Sequence, residues 1–342
     1  MTIKERLAHL YADANAGNEK AMVELAELLL EDEGYDEAET WLKKAAELGN
    51  IRSFLLLGEL FLRRNDLESA ILWFRRGAEE GNLSAMTNLG FLLKQKGEVD
   101  QAENWYLLAA NQGSAIAMFN LANIHAEKND LQQAEYWVEK SATSGYDRAW
   151  IALGEIYRER GELEKAVAAF NKAKEHEILD AYSYLLDIAL MKDDLEMAEM
   201  IAREGMENGH LDSISNLGFV LAALEKYDEA EKILIEGLKR GHARSVYNLA
   251  SLYALLGKTD RALPLFSQLA ESGDPLGQFA YGTILLENNY VEDGLDWVEK
   301  AANQGHKEAM ELLLEYYREK GDLEKIHEWE TKLSLDEHLP FD

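Results

Sequence analysis

The amino-acid sequence predicts an all-α protein, a right-handed superhelical solenoid of about ten 32-residue helix-turn-helix repeats. Three recurring features lead to this prediction: a grid of tryptophans, a stripe of leucines and a set of closing glycines. Six of the seven tryptophans are separated by multiples of 32 residues: Trp41, Trp73, Trp105, Trp137, Trp297 and Trp329. Such a period is typical of stacked repeats, each of which is stabilised mainly by contacts with its neighbours.

The period divides the chain without any insertion or deletion. We predict an N-terminal capping helix in residues 1–17, ten repeats in residues 18–337 and a C-terminal tail in residues 338–342. Glycine closes eight repeats, whereas Glu177 and Glu337 close the other two. Because glycine is missing at Glu177, we place a seam near residues 175–178. The repeats begin at residues 18, 50, 82, 114, 146, 178, 210, 242, 274 and 306, and position numbers below count from these residues.

The first half of each repeat has the pattern of an amphipathic helix. A small residue usually follows the leucine at position 8, and a bulky residue comes at position 12, which is helical spacing. The leucines are Leu25, Leu57, Leu89, Leu121, Leu153, Leu185, Leu217, Leu249 and Leu313. Glycine or asparagine at position 16 favours the left-handed backbone that ends a helix. These residues are Asn65, Gly97, Asn129, Gly161, Gly257, Asn289 and Gly321.

The second half predicts another helix, with alanine at position 21 and tryptophan at position 24. The alanines let two helices approach, and we expect the tryptophan rings to fill the space beside them as core between repeats. We expect Pro264 to disturb the first turns of its helix. Adaptable methionine packing predicts a looser joint in the sixth repeat, which contains Met191, Met197, Met200 and Met206.

The third repeat shows the whole pattern, in Ala85, Leu89, Gly90, Leu93, Ala102, Trp105, Ala109, Ala110 and Gly113. This pattern resembles the Sel1-like repeat, a relative of the tetratricopeptide repeat, and the resemblance covers about residues 18–337. The resemblance implies an adaptor of signalling or complex assembly, with the first helices lining a concave groove. The chain departs from the family in its shorter repeat and in the residues that replace tryptophan, which are Ala169, Ile201, Ile233 and Leu265.

Composition narrows the classes of function. The formal net charge of −29 disfavours nucleic acid and anionic membranes as partners, because both attract basic surfaces. The chain has no cysteine, which excludes disulfides and thiol chemistry. No stretch has the length and apolarity of a signal peptide or a transmembrane helix, so we expect a cytoplasmic protein.

No arrangement of residues predicts catalysis. The segment Gly257-Lys258-Thr259 ends like a phosphate-binding loop but lacks the glycine that such a loop needs five residues earlier. His210, His242 and His306 recur at position 1 of their repeats and are too dispersed to share a metal. We therefore expect a protein that is not an enzyme and has no cofactor and no metal.

The first helices carry the candidate partner-binding residues. Positions 6 and 10 supply the apolar residues Phe91, Phe119, Ile151, Phe219, Tyr247 and Phe279. Position 7 supplies Asn88, Asn120, Asn216 and Asn248, whose amides can donate to and accept from a peptide backbone. Alternatively, these asparagines bond to a neighbouring helix. Arg148 and Arg244 at position 3 have two interpretations as well, pairing with partner carboxylates or with acidic residues of adjacent repeats.

Together these features predict a non-enzymatic adaptor that binds a protein or peptide, such as an extended segment, in the concave groove. The alternative is a regulatory sensor whose superhelix changes shape when it binds a small peptide. The sequence leaves open the oligomeric state and whether the partner is an extended peptide, a helix or a folded domain.

Overall fold

The computed structural model describes residues 3–336, with side chains described for residues 5–334. Within that range the regular structure consists of 21 α-helices and no strands, which confirms the predicted all-α class. Residue 337 and the predicted tail 338–342 lie outside the described residues. The chain divides into two compact units, Met1–Ile178 (unit 1) and Leu179–Asp342 (unit 2).

Unit 1 begins with one helix in the region of the predicted cap and continues with five helix pairs. Its helices are α1 Ile3–Asn15, α2 Glu19–Glu31, α3 Tyr35–Glu47, α4 Ile51–Arg63, α5 Leu67–Glu79, α6 Leu83–Gln95, α7 Val99–Asn111, α8 Ala115–Glu127, α9 Leu131–Thr143, α10 Ala149–Glu159 and α11 Leu163–Glu175.

Unit 2 continues the alternation with five more pairs. Its helices are α12 Ala181–Met191, α13 Leu195–Glu207, α14 Asp212–Ala223, α15 Tyr227–Lys239, α16 Ala243–Leu255, α17 Thr259–Glu271, α18 Pro275–Glu287, α19 Val291–Asn303, α20 Lys307–Lys320 and α21 Leu323–Asp336. From α2 onward the even-numbered helices are the first helices of the repeats, and the odd-numbered ones are the second helices. Within each unit, helices pack against the helices before and after them, as expected of a stack.

Left-handed residues end the helices with a 16-residue spacing. Positive φ angles occur at every position 16 from residue 33 to residue 321 and at every closing position from residue 17 to residue 305. At the end of α4, the Asn65 N–H donates to Leu62 and the Asp66 N–H donates to Phe61, which satisfies two terminal carbonyls. The predicted glycine and asparagine stops are thus confirmed. Acidic residues take the same conformation at Glu33, Glu177, Asp193 and Glu225.

Side chains at position 1 cap six of the first helices. The side chains of Asn18, Asn50, Asn82, Ser114, Asp274 and His306 accept hydrogen bonds from backbone N–H groups of the first turn. Tyr146 and Ile178 cannot accept such bonds well, and α10 and α12 begin two residues late, with 11 residues each instead of the usual 13. Of the three histidines at position 1, only His306 caps its helix in this way, whereas His210 and His242 bond to the hydroxyls of Ser213 and Ser245.

The core between paired helices is filled largely from position 25, and in some repeats from the tryptophan position as well. Tyr106 lies against Gly90, where an added Cβ would come within 2.6 Å of the ring. Phe74 and Phe170 fill the same place opposite other glycines and are fully buried. The expectation that tryptophan fills the core is confirmed for Trp41, Trp137 and Trp329, which are buried members of the core, whereas Trp73 and Trp105 only pack against it. Position 25 is directed inward as well, because it lies one helical turn after the alanine of position 21.

The tryptophans differ in their burial. Trp41, Trp137 and Trp329 are buried, whereas Trp73, Trp105 and Trp297 are half-buried. A cation three residues later lies over most of the rings, for example Lys300 Nζ at 3.6 Å from the ring centroid of Trp297. Three of the four repeats without tryptophan keep a large side chain at position 25, in Phe170, Leu234 and Phe266, whereas the sixth repeat has Ala202 there.

Two further expectations were wrong. The helix α17 runs without a break through Pro264 and keeps the 13 residues of other second helices, because one missing N–H near the helix start removes a single bond. The methionines of the sixth repeat are not core packing. Met191, Met197 and Met200 are 66%, 42% and 60% exposed, and only Met206 is partly buried.

Candidate functional site

A cleft in unit 2 lies between two neighbouring first helices, α14 and α16, which contact each other. Its volume is about 250 Å³, and its walls are mostly apolar. Phe219 on α14 is 52% exposed and Leu255 on α16 is 66% exposed. The other lining residues are Gly218, Ala222, Ala223, Asn248, Ser251 and Leu252. Large apolar side chains that remain exposed around a concave surface are typical of interaction sites.

The sequence identified only part of this cleft. Phe219 and Asn248 were predicted, whereas Ala223 and Leu255 at position 14 were not. Position 14 is charged in most repeats. The small Ala223 and the apolar Leu255 at this position in consecutive repeats could therefore have indicated an apolar surface. Whether two such residues form a cleft depends on the packing of α14 against α16.

All four predicted asparagines are half-buried on first helices. Asn248 donates from Nδ2 to the carbonyl oxygen of Ser215 at 2.9 Å, so this amide links α16 to α14. That contact matches the second interpretation, a bond to a neighbouring helix. Within residues 5–334, the side chains of Asn88, Asn120 and Asn216 form no hydrogen bond. Their amides therefore keep both donor and acceptor groups for a partner, and the peptide ladder stays a prediction.

A nearly identical short sequence occurs at the same repeat positions in one repeat of each unit. Residues 87–91 read TNLGF and residues 215–219 read SNLGF, and each is followed one repeat later by FNLA or YNLA. Phe91 is 50% exposed, close to the 52% of Phe219. We call this set the Asn–Phe cassette. It consists of Asn88, Phe91 and Asn120 in unit 1, and of Asn216, Phe219 and Asn248 in unit 2.

The predicted residues at position 6 are less accessible than the sequence suggests. Phe119 packs on Tyr146 with ring centroids 5.0 Å apart, and Phe279 packs on His306 at 4.6 Å. Tyr247 contacts Phe266 at 5.8 Å. These side chains and that of Ile151 are half-buried, because in two of these contacts position 6 reaches the start of the next first helix. Each of these side chains is thus partly packed and partly accessible, and its part in partner binding stays a prediction.

The arginines at position 3 differ from one another. Arg52 donates from Nε to Glu27 Oε1 at 2.7 Å, which is the pairing between adjacent repeats that the sequence left as one interpretation. Arg148 and Arg244 are exposed and form no ion pair within the described part of the chain. On the same face of α4, burial raises the pKa of Glu59, against the opposing effect of nearby arginines.

Among residues 5–334, no group of three or more histidine, aspartate or glutamate side chains is arranged to hold a metal ion. None of the helices in residues 3–336 is both long enough and apolar enough to cross a bilayer.

Family comparisons identify repeats along the chain. The tetratricopeptide repeat family matches residues 23–85, 87–147 and 216–276, which together make up more than half of the chain. A second tetratricopeptide repeat description matches residues 147–175, and the Sel1 repeat matches residues 276–306. No curated protein sequence matched the chain.

Solved structures share the architecture at low sequence identity. The protective antigen c5321 of uropathogenic Escherichia coli, which displays an SLR fold, is 22% identical with a TM-score of 0.63, and the match covers 96% of this chain and 79% of that chain. Yeast Tom70 is 14% identical with a TM-score of 0.52, and the match covers 95% and 92%. A Sel1 repeat protein from Oxalobacter formigenes is 24% identical with a TM-score of 0.46, over 59% and 98%. The first two matches show a shared solenoid fold alone.

Proposed function

This chain belongs to the tetratricopeptide repeat family, and we propose that it is a non-enzymatic adaptor that binds a protein or peptide segment through its first helices. Solenoids of this family are typical scaffolds for protein–protein interaction. The proposed contact surface in each unit is the Asn–Phe cassette, with the α14–α16 cleft as its best-formed part.

The observation that carries this proposal is the exposure of Phe91 and Phe219 in duplicated sequence. A large apolar side chain that is half exposed contributes little to folding, yet both units keep it at the same position. The preceding leucines, Leu89 and Leu217, are fully buried and account for the packing of these helices. The phenylalanines therefore have no structural role that explains them, and partner binding gives them one.

The cassette offers two kinds of contact to an extended segment. The ring of Phe219 and the side chain of Leu255 can bury an apolar side chain of the partner in the cleft. The Asn216 amide can pair with a backbone N–H and C=O, and Asn248 keeps its Oδ1 as an acceptor while its Nδ2 binds Ser215. Each amide bond adds only about 0.5–1.5 kcal/mol, so affinity depends on the apolar contact as well.

Pull-down from native lysate with Phe91→Ala and Phe219→Ala variants, singly and combined, tests the proposal. We expect the double variant to lose partners that the parent chain retains, because the largest exposed apolar surface of both cassettes is removed. Circular dichroism melting curves should stay close to those of the parent, since neither ring is buried.

Leu323→Ala is a matched control, because Leu323 is a large apolar residue 80% exposed on a second helix. This variant should retain every partner. If the folded Phe91→Ala/Phe219→Ala chain keeps all partners at undiminished affinity, binding through the first helices is wrong.

A further inference from the structure

The repeat positions that line the α14–α16 cleft change from apolar to acidic along unit 2. Positions 10 and 14 of successive first helices lie on one face. They are Phe219 and Ala223 on α14, Ser251 and Leu255 on α16, Thr283 and Glu287 on α18, and Glu315 and Glu319 on α20. The apolar cleft is therefore followed by carboxylates on the next two first helices.

These carboxylates are free to interact. Glu287, Glu315 and Glu319 are exposed, and none of them forms an ion pair within residues 5–334. The nearby cations of α20 are engaged elsewhere, since Arg318 pairs with Glu330 at 2.6 Å and Lys320 lies over the Tyr316 ring at 5.5 Å. Three like charges on one face raise the local negative potential and attract cations.

We propose that the cleft of unit 2 binds a peptide segment that combines an apolar anchor with lysine or arginine residues. This inference rests on the proposed function and specifies the chemistry of its partner. The anchor occupies the cleft beside Phe219 and Leu255, and the basic side chains lie over Glu287 and the carboxylates of α20. The cleft supplies the site, and charge complementarity selects the occupant.

The one unpaired cation on α16 does not oppose this arrangement. Arg244 at position 3 precedes Leu255 by eleven residues, which corresponds to roughly 16 Å along the helix at 1.5 Å per residue. That distance exceeds the Debye length of about 8–10 Å in physiological salt, so Arg244 has little effect at the cleft end of the helix.

Fluorescence anisotropy with short synthetic peptides tests the inference on the full chain. The first fluorescein-labelled peptide has one central tryptophan, Gly/Ser spacers and two lysines at each end. Because lysines flank the anchor on both sides, the peptide can bind in either chain direction. The second has glutamates in place of the lysines, and the third has alanine in place of the tryptophan. We expect the first peptide to bind at least about tenfold more tightly than either of the others and to weaken as salt is raised.

Variants locate the binding. Phe219→Ala should weaken the lysine peptide about tenfold, as should the triple variant Glu287→Gln/Glu315→Gln/Glu319→Gln. The matched control Glu292→Gln/Asp293→Asn/Asp296→Asn removes the same charge from α19, a second helix, and should leave affinity within about twofold.

The other outcomes separate the inference from the proposed function. If lysine and glutamate peptides bind equally and both need Phe219, the cleft binds peptides but the charge inference is overturned. If both triple variants weaken binding equally and Phe219→Ala has no effect, the affinity depends only on the net charge of the protein, and the inference is again overturned. If no peptide binds above background, both the inference and the use of this cleft fail.

Discussion

Glu225 ends α14 in a conformation that costs free energy, so replacing it with glycine should stabilise unit 2. Its φ is +60°, and its N–H donates to Ala222 as the left-handed residue of a helix stop. The side chain is exposed and forms no hydrogen bond or ion pair among the described residues. Glu225→Gly therefore changes the backbone preference without removing a contact.

The expected gain is the difference between two terms. A side chain in the left-handed region costs about 1–2 kcal/mol, while glycine loses roughly 0.5–1 kcal/mol more backbone entropy on folding. The net stabilisation is about 0.5–1 kcal/mol. Unit 2 has roughly 160 residues, and at about 2.1 cal/mol/K per residue this raises its melting temperature by about 1–3 °C.

Differential scanning calorimetry on three variants measures this gain. Glu225→Ala removes the same negative charge but keeps a Cβ, so it separates relief of charge repulsion from relief of backbone strain. Gly241→Ala is the reciprocal change, since Gly241 has φ +74° and an added Cβ would meet no atom within 4 Å. It should destabilise by about 1 kcal/mol. If Glu225→Gly gains nothing over Glu225→Ala, the backbone argument is refuted.

Three further predictions follow from the packing and from one buried histidine. Phe74→Ala should lower the free energy of unfolding by about 3–5 kcal/mol, because Phe74 is 0% exposed. Trp73→Ala should lower it clearly less, because Trp73 is half-buried. Equal shifts in the urea midpoint of the two variants would contradict the assignment of position 25 to the core. Gly90→Ala should cost about 1–3 kcal/mol, because its Cβ would lie 2.6 Å from Tyr106. Adding Tyr106→Val, which copies the Ala122/Val138 pair of the next repeat, should recover part of this loss. If the double variant instead loses the sum of the two single losses in unfolding free energy, the clash between the added Cβ and the Tyr106 ring is not the cause. Burial lowers the pKa of His210, so its protonation favours the unfolded chain: the stability it contributes is fully present above about pH 6.5 and is lost as the pH falls through the lower folded value. His210→Asn places at this position the residue that caps α2, α4 and α6. This variant should flatten the decline in melting temperature between pH 7 and 5. If the decline is unchanged, groups other than His210 cause it.

The helix ends followed from local chemistry and could be predicted. Glycine and asparagine at position 16 tolerate the left-handed backbone regardless of tertiary contacts, and every one predicted there adopts it. Glu33 and Glu225 adopt it as well, although glutamate does not favour it. The stack determines these two positions, because packing of both helices of the repeat fixes where the turn lies.

The burial of individual side chains was harder to predict. The periodicity predicts which face of a helix packs against its neighbours, but not how deeply each residue on that face is buried. Trp105 and Tyr106 are adjacent, and the larger and rarer residue suggested the core. The structure places Tyr106 against Gly90 with 1% exposure and leaves Trp105 half-buried. The same limit applies to Phe119, which was expected in the groove and instead packs on Tyr146.

By itself, the sequence determined the helical class, the period of 32 residues, the family and the helix stops, because each depends on residues close together in the chain or on simple repetition. Only the tertiary structure decided which side chains remain available. In the structure the Nδ2 of Asn248 donates to Ser215, Phe219 remains exposed beside Leu255, and Glu287, Glu315 and Glu319 remain exposed without an ion pair among the described residues. The physical reason is that exposure depends on the distance and rotation between neighbouring helices, which no single repeat encodes.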